Sequence, residues 1–95
     1  MREGATLFLT ENGGKYLLQL CKHFAHKIAV EQVDDCAELR FSCGTGYLKS
    51  APDGLHIRVV SADDADLAKT KHVIEGHLLR FAFRENAGPL HWTDF

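Results

Sequence analysis

The chain has 95 residues, enough for one domain with a small core. Its 45% hydrophobic and 25% charged residues are those of an ordinary globular protein and exclude disorder, collagen, a coiled coil or a disulfide scaffold. Eleven Lys and Arg against 13 Asp and Glu give a formal charge of −2, which argues against a nucleic-acid partner held by bulk charge.

In chain order, residues 5–10 (ATLFLT) read as a short strand. Thr10 or Asn12 can cap the next element, because their side-chain oxygens accept free amide hydrogens at a helix start. Residues 13–27 read as a helix, with Leu17, Leu20, Cys21 and Phe24 as its apolar stripe. Residues 28–33 form a strand and Asp34-Asp35 a turn. In 36–43 (CAELRFSC) the side chains alternate: Ala37, Leu39, Phe41 and Cys43 one way, Glu38, Arg40 and Ser42 the other. Gly44-Thr45-Gly46 is read as a turn into strand 47–51, and Pro52-Asp53-Gly54 as the turn into strand 55–61. Ser61 and Asp63 offer caps for a helix over about 63–85, whose acidic first turn suits the positive end of the helix dipole. Leu67, Ile74, Leu78 and Phe81 supply its buried stripe, and Gly76 weakens it. Gly88-Pro89 ends the pattern, leaving a tail over 88–95 that Trp92 pins to the body.

The order β-α-β-β-β-β-α, with tight connections between strands, predicts an α+β two-layer sandwich. Its antiparallel sheet carries both helices on one face, and residues 1–95 form a single domain. The other face would carry Glu38, Arg40, His56 and Arg58 and stay wet or bind something. No apolar run approaches the ~18 residues that cross a bilayer. The start, MREGATLFLT, lacks a signal-peptide pattern, and the three cysteines, Cys21, Cys36 and Cys43, are odd in number and widely spaced. A cytoplasmic protein with no membrane partner is expected.

Six histidines are many for this length, and His titrates near neutral pH. His23 and His26 fall three apart, about 60° around a helix, so they are candidate metal ligands, although a stable zinc site needs three or four. The same residues also suit a solvated helix end. His77, Arg80 and Arg84 share a stripe of the second helix, and arginine's fork of donors matches carboxylate or phosphate. Together with His23 and His26 they make a candidate anion-binding surface; the plainer alternative pairs the arginines with Glu85 or the Asp-rich turns. Phe83, Leu90 and Trp92 are a candidate interaction patch, unless Leu90 and Trp92 cover Phe83. Cys36 and Cys43 are an odd number apart on one strand and point to opposite faces. No phosphate loop, nucleophile elbow, HExxH or Cys-x-x-Cys pattern occurs.

Three stretches stand together: "YLLQLCKHFAHK" (16–27), the strand from Cys36 to Cys43, and "HLLRFAFRE" (77–85) followed by Trp92. Over nearly its whole length the chain resembles a small bacterial family, domain of unknown function 2218. The resemblance assigns no catalytic residue and identifies no particular cofactor. It does imply a setting, since members also occur fused to flavin-containing siderophore-interacting reductases: ferric-siderophore metabolism, with a siderophore reductase as partner. The first expectation is therefore a non-enzymatic binding or accessory module that holds an anionic small molecule or a partner on its His/Arg surface. Alternatives are a metal-binding protein or small enzyme using His23, His26 and His77, and a homodimeric interaction domain.

Overall fold

The computed structural model describes all of residues 1–95. Strand β1 (Arg2–Leu9) leads into helix α1 (Gly13–Phe24), and four strands follow: β2 (Ala29–Val33), β3 (Cys36–Phe41), β4 (Gly44–Ala51) and β5 (Gly54–Ser61). Helix α2 (Asp64–Phe81) then runs into a 3₁₀ turn over Phe83–Glu85, and a two-residue strand β6 (Thr93–Asp94) ends the chain. All neighbours in the six-stranded sheet are antiparallel, in the order β2-β3-β4-β5-β1-β6. This is the expected α+β architecture.

Alternation decides which face is buried. Thr6 and Phe8, Ala37 and Leu39, Leu48, and Leu55, Ile57 and Val59 turn inward. Tyr16, Leu17, Leu20, Cys21 and Phe24 of α1 cover them, with Leu67, Ile74 and Leu78 of α2, in one hydrophobic core. Leu20, Leu39, Leu55 and Leu78 are fully buried, so truncating any one to Ala costs about 2–5 kcal/mol. The buried hydroxyls of Ser61 and Thr70 are paired: the Thr70 hydroxyl donates to the Asp66 carbonyl at 2.8 Å and lies 3.1 Å from Ser61 Oγ and 3.2 Å from Cys43 Sγ.

Several boundaries differ from the sequence reading. The first strand starts at Arg2 because it pairs with β5 along its full length, from Arg2–Ser61 to Leu9–Gly54. Helix α1 stops at Phe24, and Cys43 lies in the turn between β3 and β4. Gly44-Thr45-Gly46 is the start of β4 rather than a turn. A Cβ on Gly46 would come 2.5 Å from Ile74 Cδ1, so the glycine lets α2 approach the strand. Asp63 caps α2 as expected, its carboxylate accepting from the Asp66 amide at 2.8 Å. That helix ends at Phe81, and Asn86 follows in the left-handed region at φ 54°.

The tail is not loose. β6 pairs with β1, the Phe95 amide donates to the Glu3 carbonyl, and the Thr6 hydroxyl donates to the His91 carbonyl. The Trp92 indole donates to Glu75 at 2.8 Å, and Lys71 pairs with Asp94. No helix is long and apolar enough to cross a membrane.

Candidate functional site

With both helices on one side, the opposite face of the sheet is uncovered. The strand register arranges its side chains in rows. One row is Ala5, Arg58, Tyr47, Glu38 and Glu31; the next is Leu7, His56, Lys49, Cys36 and Val33. Arg58 lies over Tyr47, its guanidinium carbon 4.3 Å from the ring centroid, and Glu3 steadies it from the side at 3.3 Å. Arg40 bridges Glu38 at 2.6 Å and Glu31 at 3.0 Å. The His56 imidazole, 2.8 Å from Asp53, holds that carboxyl below the usual carboxylate range. Lys49 alone among the cations of these rows has no ion-pair partner. Glu31, Glu38, Tyr47, Lys49, His56 and Arg58 border an open cavity of about 540 Å³, whose wall is more apolar than polar.

The sequence-derived candidates lie elsewhere, on the helix layer. His23 and His77 do meet, with ring centroids 4.5 Å apart, beside the rings of Phe24 and Phe81. His77 Nδ1 is 2.7 Å from the Val73 carbonyl, which can only accept, so Nδ1 carries a proton. His23 Nε2 is buried without a partner, and so is Gln19 Oε1 one turn earlier. Desolvation lowers the His23 pKa, helped by the neighbouring His77, Lys27, Arg80 and His26.

His26 is exposed and lies past the end of α1, so the helical spacing that paired it with His23 does not apply. Arg84 likewise falls beyond α2, its guanidinium 5.5 Å from the Phe83 ring. The alternative pairing of the arginines with Glu85 is also not what forms: Glu85 accepts from the Tyr16 hydroxyl, from Thr10 at 2.9 Å and from Asn12 at 3.2 Å. These donors lower its pKa, and burial together with that carboxylate pushes the Tyr16 phenol up to about 12. None of the three principal cavities is lined by His23, His26, His77, Arg80 or Arg84. No group of three or more His, Cys, Asp and Glu side chains converges as a metal site requires. Phe83 is 66% exposed, whereas Leu90 and Trp92 pack against the core.

Sequence reasoning placed Glu38, Arg40, His56 and Arg58 on the uncovered face but did not single out Tyr47, Lys49 or Glu31 as site residues. The available signal was the alternation in Tyr47-Leu48-Lys49, which puts Tyr47 and Lys49 opposite the buried Leu48.

The architecture defines a two-layer α+β domain with one sheet face open. Residues 6–93 match a family described as "uncharacterized protein conserved in bacteria (DUF2218)", and the chain belongs to that family. It is similar to the NMR structure of PA4090 from Pseudomonas aeruginosa, at 28% identity over 100% of this chain and 96% of that one, with a TM-score of 0.79. No curated protein matches the chain.

Proposed function

We propose that the domain is a non-enzymatic binding module that holds a small charged molecule on the open face of its sheet. The carrying observation is the cavity of about 540 Å³ bordered by Tyr47, Arg58, Lys49 and His56. Its size falls within the roughly 300–1,000 Å³ of small-molecule sites, which are mostly apolar with a few placed polar groups. Those groups stand on hydrogen-bonded strands, and Arg58 and His56 are held by ion pairs to Glu3 and Asp53, so these two lose little side-chain freedom on binding.

The His23–His77 contact favours a second reading, in which Arg80 and the histidines take an anion at the helix layer. That surface has charge and an unpartnered nitrogen but borders none of the principal cavities. The ferric-siderophore setting is an expectation of the family resemblance and rests on no residue of this face.

Cys36 provides the test. It is exposed and borders the cavity, whereas Cys21 is buried and Cys43 half-buried. Small-molecule hits found by thermal shift should lose their stabilising effect once Cys36 carries an N-ethylmaleimide group, and keep it in His23→Leu. Hits that survive alkylation of Cys36 and vanish in His23→Leu would place binding at the helix layer instead. A dimer formed through this face would show as slower Cys36 alkylation at higher protein concentration.

A further inference from the structure

The chemistry of the open face selects among small charged molecules. We infer that it takes a planar aromatic carboxylate, with the ring stacked on the Tyr47–Arg58 pair and the carboxylate at Lys49; this rests on the open-face reading above. Tyr47 and Arg58 are direct cross-strand partners, and the guanidinium carbon already lies over the ring, 4.3 Å from its centroid. Such a pair offers a platform for a further ring, since both aromatic and guanidinium planes stack face to face.

Lys49 and His56 are the next cross-strand pair on the same face, two residues along each strand, about 7 Å away. The ion pairing around the platform, rather than its summed charge, favours an anionic ligand. Arg58 is matched by Glu3 and His56 by Asp53, while Arg40 bridges Glu31 and Glu38 on the β2–β3 side of the platform and offsets one of their two charges. Lys49 is the cation beside the stack that has no ion-pair partner, and its long stem lets the ammonium swing to a group at the edge of a stacked ring. A ring without a charge would leave Lys49 unmatched, and an aliphatic acid would forgo the stack.

Saturation-transfer NMR on the full chain separates these terms with four probes: 2-naphthoate, the neutral 2-naphthamide, the cationic 2-naphthylmethylammonium and the aliphatic cyclohexanecarboxylate. For ligands this small the expected dissociation constant is about millimolar. The inference predicts that 2-naphthoate binds about tenfold or more tighter than each of the other three. Lys49→Met should remove about tenfold of that affinity, and Lys49→Arg should retain it, because the charge is kept. Equal or tighter binding of the amide or the cation, blocked by Cys36 alkylation, overturns the aromatic-acid assignment and leaves the open face as the site. Naphthoate binding that ignores Cys36 alkylation overturns the face itself. Silence from all four probes overturns the aromatic-acid assignment too.

Discussion

Glu85 shows how one side chain ties distant parts of this chain together. Its carboxylate collects donors from Thr10, Asn12 and Tyr16, joining the 3₁₀ turn after α2 to the start of α1. Glu85→Gln should lower stability by about 1–3 kcal/mol, measured by urea unfolding, because the buried Tyr16 hydroxyl and the more exposed Thr10 and Asn12 lose an ionised acceptor. The sign of the pH effect follows from the lowered carboxyl pKa: this stability is present above the unfolded carboxylate pKa and is lost as the pH falls through the folded one. Wild type should therefore lose its advantage over Glu85→Gln on acidification. In the same variant the Tyr16 phenol, titrated by ultraviolet absorbance, should ionise below its value of about 12. His23 is the opposite kind of residue, a buried nitrogen without a partner. Its pKa is lowered in the fold, so the unfolded chain binds more protons below about 6.5 and stability drops with pH from there. His23→Leu should match or exceed wild-type stability at pH 7 and show a shallower acid loss; a variant as acid-sensitive as wild type would contradict this assignment.

Elements are positioned by glycines of two kinds. Gly54 sits at φ +148° at the start of β5, where a Cβ would run into the Phe8 carbonyl of the neighbouring strand. Gly76 lies on the exposed side of α2 with nothing within 4 Å of its missing Cβ. Gly76→Ala should therefore raise stability by about 1 kcal/mol, through helix propensity alone. Gly54→Ala should lower it by about 3 kcal/mol or more, since both backbone strain and a steric clash oppose it; equal melting temperatures for the two variants would contradict this contrast. The sequence displayed the Gly54 turn clearly, because Pro52-Asp53-Gly54 carries its own local preference. It misled at Gly44 and Gly46, where the glycines admit the side chains of α2 and of β5 rather than bend the chain. Local chemistry could not show that difference, because the atoms needing the space belong to Ser61, Thr70 and Ile74, far along the chain. The early end of α2 was hidden for a similar reason: the partners of Glu85 come from the region around α1.

For the whole molecule, alternation and helical stripes were enough to predict two layers, since each strand of the central meander has one apolar face. The sixth strand was not legible, because two residues, Thr93 and Asp94, carry no period and are held by β1 and Lys71. The candidate site divides in the same way. Which residues share the uncovered face could be read from the strands, whereas their neighbours across strands depend on register, and register places Tyr47 beside Arg58 and Lys49 beside His56. Of the histidines and arginines that looked most chemical in sequence, His23 and His77 meet on the helix layer, away from the open-face cavity. The most direct test is an amide chemical-shift map of the ¹⁵N-labelled chain titrated with 2-naphthoate at neutral pH. The account predicts saturable shifts concentrated on β4 and β5 around Tyr47, Lys49, His56 and Arg58. Shifts concentrated instead around His23, His77 and Arg80 would contradict it and return the function to the helix layer.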